Sequence, residues 1–126
     1  MLGEETILVV EDDSAVRPLV ALMLERYGYH VLSTANAEQA IELVKRTEET
    51  IDLVLTDVVM PGLNGRELAE QLEILRPGMK VLFTSGYPTD TIIRQGIADA
   101  SAAYLEKPYL PDELARKLRA LLDADA

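Results

Sequence analysis

Five strand-and-helix units in succession predict a doubly wound parallel sheet with helices on both faces. Three observations carry this. Short apolar runs such as Ile7–Val10, Leu53–Leu55 and Val81–Phe83 read as strands buried on both sides, as strands inside a parallel sheet are. Strand starts near Ile7, Tyr29, Ile51, Lys80 and Ala103 recur roughly every 25 residues, the length of one right-handed βαβ crossover. The segments between them place apolar residues at helical spacing. A five-stranded sheet of this kind takes the order 2-1-3-4-5, with its switch point between strands 1 and 3.

The first strand ends on Glu11-Asp12-Asp13, and Ser14 is suited to cap a helix running to about Tyr27. Val16, Leu19, Val20, Met23 and Tyr27 would form its inner face. Pro18 falls in the first turn, where a missing N–H does little harm, and Gly28 ends the helix. A weaker second strand spans Tyr29 to Ser33, with His30 at one alternating position. Asn36 caps the second helix, which turns Ala37, Ala40, Ile41 and Val44 inward. The third strand lies in Ile51 to Asp57 and runs into Val58-Val59-Met60-Pro61-Gly62, a turn signal. Gly65 to Leu75 is the third helix, with Leu68, Leu72 and Leu75 inward and Pro77-Gly78 closing it. Val81 to Thr84 is the fourth strand. Thr89 to Gly96 reads as a short fourth helix with a poor stripe of Ile92, Ile93 and Ile97. A short fifth strand, Ala103 to Leu105, precedes a last helix from Leu110 to Asp123, with Pro111 near its start and Leu114, Leu118, Leu121 and Leu122 on one side. No repeat, linker or low-complexity tract interrupts the series, so one domain over 6–123 is expected, with short tails at 1–5 and 124–126.

The 126 residues are 48% hydrophobic and 27% charged, which suits one globular domain with a real core. Against 12 basic residues stand 22 acidic ones, a net charge of -10 that argues against direct nucleic-acid or anionic-lipid binding and favours divalent cations. The absence of cysteine excludes disulfides, thiolate catalysis and zinc-thiolate sites. His30 is the single histidine, which excludes polyhistidine metal sites, and it is expected on the strand surface. With no run of membrane-spanning length and no signal pattern in Met1–Thr6, a cytoplasmic location is expected.

The order 2-1-3-4-5 brings the end of strand 1 (Glu11, Asp12) beside the end of strand 3 (Asp57), with Thr84, Ser85 and Lys107 flanking the same mouth. Carboxylates gathered this way repel one another and stay ionised only around a cation. Carboxylate, carbonyl and water oxygens are ligands for Mg2+, with Mn2+ as its substitute. Thr84 adds a hydroxyl and Lys107 a positive charge, a set suited to stabilising a phosphoryl group in transfer. A carboxylate at the centre would be the nucleophile and carry an aspartyl-phosphate. Asp13 reads as the residue before the helix cap and is left out of the metal set.

From about Thr6 to Leu122 the chain resembles the receiver domain of two-component response regulators, a flavodoxin-like (βα)5 fold. Ile7-Leu8-Val9-Val10-Glu11-Asp12-Asp13 is similar to the receiver's first strand and acidic pair. Asp57 with Met60-Pro61 and Gly65 resembles its phosphoacceptor loop, and Thr84 with Lys107-Pro108 its switch hydroxyl and lysine motif. Phe83-Thr84-Ser85-Gly86-Tyr87 and Leu105-Glu106-Lys107-Pro108-Tyr109 resemble receivers attached to hybrid sensor histidine kinases. The resemblance implies that Asp57 accepts a phosphoryl group from the phosphohistidine of a histidine kinase or histidine phosphotransfer domain. It implies Mg2+ held directly by Asp12 and Asp57, through water by Glu11, and by the Val59 backbone carbonyl. Thr84 and Lys107 would bind phosphoryl oxygens, and Tyr104, which also reads as ordinary core, would be the aromatic switch. The responding face would be the fourth helix, fifth strand and last helix, with a homodimer on phosphorylation as one outcome. Such a domain catalyses only its own phosphorylation and dephosphorylation.

Other classes fit less well. An FMN binder of the same topology needs a first loop rich in Ser, Thr and Gly to cradle phosphate, where Glu11-Asp12-Asp13 would repel it. A phosphatase with an Asp nucleophile wants a second acid two residues on, and that residue is Val59. A receiver reduced to a scaffold has no need of Asp57, Thr84 and Lys107 together.

Overall fold

The computed structural model describes residues 4–86 and 103–124. The elements in them are β1 (Thr6–Val10), α1 (Val16–Arg26), β2 (His30–Thr34), α2 (Ala37–Arg46), β3 (Leu53–Asp57), α3 (Gly65–Leu75), β4 (Lys80–Ser85), β5 (Ala103–Glu106) and α4 (Pro111–Asp123). The helix expected over Thr89–Gly96 lies outside the described residues, so α4 is the last helix of the sequence. All strand pairs are parallel, in the predicted order β2-β1-β3-β4-β5.

Successive side chains of a strand leave on opposite faces, so an all-apolar strand feeds two cores at once. Ile7 and Val9 join Leu53, Leu55 and Leu82 against Val20 and Leu24 of α1 and Leu114 and Leu118 of α4. Leu8 and Val10 join Val54 against Ala37, Ala40 and Val44 of α2 and Leu68 and Leu72 of α3. Burying each such large side chain contributes about 1.5–3 kcal/mol. The central strands therefore hold the carboxyl edge of the sheet firmly. At the sheet margin, β2 is only partly buried, in keeping with its weaker pattern; it starts at His30, one residue after the buried Tyr29.

Helix α1 departs from expectation in two ways. Its cap is Asp13, not Ser14. Asp13 Oδ1 accepts the N–H groups of Ala15 (2.8 Å) and Val16 (3.2 Å), and its carbonyl accepts that of Arg17 (2.9 Å). A carboxylate serves better there than a hydroxyl because its charge also meets the positive helix end. The inner face is built on Val20 and Leu24, with Val16, Met23 and Tyr27 beside them, whereas Leu19 is 57% exposed. Leu19 sits on the flank of the stripe that packing turned to solvent. On α3, Leu68 and Leu72 are buried as expected, but Leu75 in the last turn is exposed.

The other punctuation follows the residue chemistry. Gly28 takes a φ of 92° after α1, a left-handed conformation that glycine adopts without steric cost. The Asn36 side chain accepts the Gln39 N–H at 2.9 Å to cap α2. Asn64 and Glu67 form a reciprocal capping box on α3 at 2.8 and 3.0 Å.

Candidate functional site

Strand register brings the chemistry-bearing residues level at the carboxyl edge. Asp57, the last residue of β3, pairs with Thr84 of β4. Val10 pairs with Thr56, so Glu11 stands beside Asp57. Ser85 pairs with Glu106, and Lys107 follows. Thr84 Oγ1 donates to Asp57 Oδ1 at 2.8 Å. Lys107 Nζ meets the same oxygen at 2.7 Å and Glu11 Oε1 at 2.7 Å. Asp57 and Glu11 are buried, and Asp12 is exposed. Carboxylate oxygens of Glu11, Asp12 and Asp57 lie within 4.8 Å of one another. An open pocket of about 320 Å³ lies over them, walled also by Asp13, Val59, Thr84, Ser85, Gly86 and Lys107.

The loop after β3 is drawn tight. The Val58 N–H donates to Thr84 O at 3.0 Å, and the Gly65 N–H donates to Val58 O at 2.7 Å. A Cβ on Gly65 would lie 2.2 Å from the Asp57 carbonyl oxygen, so only glycine lets α3 begin this close to Asp57. On the far side, the Lys107 N–H donates to Ser85 O at 2.7 Å, which anchors the lysine's backbone to β4.

Residues 7–119 match the family described as the response regulator receiver domain. The chain belongs to this family. It is 36% identical over 121 residues to the sensor kinase CckA of Brucella abortus, covering 96% of this chain but only 13% of that protein's length. It is 34% identical over 118 residues to the response regulator receiver protein CpdR of the same species, covering 94% of this chain and 97% of that protein. The crystal structure of the receiver domain from hybrid histidine kinase CckA matches with a TM-score of 0.78 and 34% identity, over 94% of this chain and 99% of that one. Receivers are the phosphoacceptor signalling domains of two-component systems. Among the described residues no helix is long and apolar enough to cross a membrane.

In this receiver the mouth holds more negative charge than its one ammonium meets. Burial, and then the adjoining Glu11 carboxyl, push Asp57 up to about 7 against the pull of Lys107. Burial would raise Glu11 as well, but bonds with Asp57, Lys107 and the Asp13 N–H hold it below its usual range. Desolvation would lower Lys107, yet its bonds to Asp57 and Glu11 raise it. Two carboxylates this close resist ionising together. With Asp12 they make a set of hard oxygen donors that fits Mg2+ or Mn2+.

The aromatic side chain carried by β5 lies just outside the pocket. Tyr104 stacks on Phe83 with ring centroids 5.5 Å apart and planes at 26°, and both pack with Val58. Phe83 and Val58 are the chain neighbours of Thr84 and Asp57. Of the sequence-predicted residues, Glu11, Asp12, Asp57, Val59, Thr84 and Lys107 come together, and Tyr104 sits one residue removed. His30 is on the exposed surface against Glu49 at 3.2 Å, away from the pocket. Sequence reasoning missed two participants. Asp13 donates its N–H to Glu11 Oε2 at 3.1 Å besides capping α1. Arg17 Nη1 donates to the Glu11 carbonyl oxygen at 2.8 Å. The signal for Arg17 was a cation in the first turn of a helix, where the dipole disfavours one.

Proposed function

We propose that this receiver accepts a phosphoryl group on Asp57 from the phosphohistidine of a histidine kinase or histidine phosphotransfer domain. The observation that carries this reading is the convergence of an O–H donor (Thr84) and an N–H donor (Lys107) on one oxygen of a buried carboxylate. An Asp57 oxygen forms the new bond to phosphorus as the P–N bond breaks, and the electron pair leaves with the imidazole nitrogen. Thr84 and Lys107 then turn from Asp57 to the phosphoryl oxygens, where charge has moved. Asp12 and Asp57 directly, Glu11 through water, and the Val59 carbonyl would hold Mg2+, or Mn2+ in its place. The cation supplies the positive charge that lets clustered carboxylates and phosphoryl oxygens share one site.

Displacement of Thr84 toward the phosphoryl group would free space for Tyr104 to turn inward. The responding face would be the expected fourth helix, β5 and α4, with homodimer formation as one consequence. The working unit in this reading is 6–123, cytoplasmic, without direct nucleic-acid contact, and catalysing only its own phosphorylation and dephosphorylation.

Incubation with Mg2+ and acetyl phosphate, followed by intact mass, tests the reading. One phosphoryl group should be gained, labile to hydroxylamine as an acyl phosphate is, and Asp57→Asn should abolish the gain. Labelling of Asp57→Asn at the wild-type rate would overturn the assignment.

A further inference from the structure

Arg17 occupies the first turn of α1, where the helix dipole works against a cation. It is also close in the chain to Glu11, Asp12 and Asp13, yet among the described residues it forms no ion pair. Its Nη1–H goes instead to the main-chain oxygen of Glu11 at 2.8 Å. That oxygen belongs to the peptide joining Glu11 to Asp12. Because a peptide is planar, holding its oxygen also holds the nitrogen and Cα of Asp12. The remaining groups of Glu11 are tied as well: its N–H donates to Thr34 O at 3.1 Å, Oε1 accepts from Lys107, and Oε2 accepts the Asp13 N–H. A guanidinium paired with Asp12 or Asp13 would neutralise a carboxylate of the mouth. Paired with a carbonyl, it stiffens the loop and leaves the carboxylates charged.

We infer that Arg17 is a positioning residue for the acidic cluster, pinning the Glu11–Asp12 peptide so that the Asp12 carboxylate is held ready for a divalent cation. The inference rests on the metal role proposed for Asp12. Positioning and simple charge predict opposite signs. If the positive charge of Arg17 acted only through space it would repel Mg2+, and its removal would tighten binding. If it positions Asp12, its removal weakens binding.

Calorimetric titration of the full chain with MgCl2 separates the two, using wild type, Arg17→Met, Arg17→Lys and Asp12→Ala. Melting curves without Mg2+ report folding of each variant independently. Arg17→Met should raise the Mg2+ Kd roughly tenfold, the low end of the range for groups that orient metal ligands. Arg17→Lys keeps a donor and should recover part of the loss. An unchanged or lower Kd in Arg17→Met, with or without a drop in the metal-free Tm, would overturn the inference alone, provided that Asp12→Ala loses Mg2+ binding. A wild type that takes up no Mg2+ would overturn the metal reading and this inference with it.

Discussion

Lys80 and Lys107 stand at opposite edges of one sheet and have opposite kinds of neighbour. Lys80, at the start of β4, donates to the carbonyl oxygens of Leu121 (2.5 Å), Leu122 (3.1 Å) and Ala124 (2.8 Å) at the end of α4. Arg76 treats the end of α2 similarly, reaching Val44 O at 3.1 Å and Thr47 O at 2.5 Å. Arg119 meets Glu5 at 2.8 Å, a contact that holds the Glu5 carboxyl down to about 2. Lys107 instead lies between two carboxylates. Parallel βαβ winding places helix C-termini at the amino edge and helix N-termini at the carboxyl edge, so the amino edge favours cations such as Lys80 and Arg76 and the carboxyl edge favours acids. A pocket of about 430 Å³, larger than the one over Asp57, opens at the amino edge between Glu5, Asp52, Arg76 and Lys80. Its charged groups are already matched; Asp52 Oδ2, for example, accepts the Thr6 N–H at 2.8 Å. Pocket size therefore does not single out the carboxyl edge, whereas unmatched charge does.

Substitutions at the two edges should separate chemistry from stability. The largest effect is expected from Lys107→Met. Its phosphorylation by acetyl phosphate, followed by intact mass over time, should slow about a hundredfold to a thousandfold, as when one preorganised donor is removed from a transition state. Next comes the lifetime of the aspartyl-phosphate. Val59 and Gly86 line the mouth without offering a side-chain polar group, and a Cβ built on Gly86 meets nothing within 4 Å. With no polar side chain at either of these two positions to orient water, the phosphoprotein should persist for minutes or longer. Val59→Asn should shorten that lifetime by about one to two decades, measured as phosphate release after donor removal. An unchanged or longer lifetime would mean that access past Gly86 sets the rate.

At the amino edge, Lys80→Met should cost about 1–3 kcal/mol in urea unfolding through the loss of its charged hydrogen bonds. Its phosphorylation rate should match wild type. Slowing comparable to that of Lys107→Met would erase the division between the edges. The smallest effect on folding is expected at Asp12. Removing one of the mutually repelling carboxylates in Asp12→Ala should raise metal-free stability by less than about 1 kcal/mol. The same variant should lose most of the Mg2+-induced rise in Tm; an equal rise in both proteins would place the cation elsewhere.

The linear pattern by itself determines that Asp57 ends a buried strand and that Thr84 and Lys107 stand at the ends of two others. Apolar runs of strand length, and the spacing between them, are local properties of the chain. The handedness of βαβ crossovers then places those ends on one edge. Local pattern does not decide which flank of α1 is buried. Leu19 and Leu24 both suit a helical stripe, and the shared core with α4 takes Leu24 and leaves Leu19 in solvent. Asp13 and Ser14 are both good caps, and only the backbone path out of β1 selects Asp13. Arg17 could have paired with any of three nearby acids, and the fold hands it a carbonyl instead. The contact of Lys107 with Glu11 spans 96 residues of chain and exists only once β1 and β5 lie in one sheet with β3 and β4 between them. Distances of that kind are set by the packing of whole elements against one another, which no local period encodes.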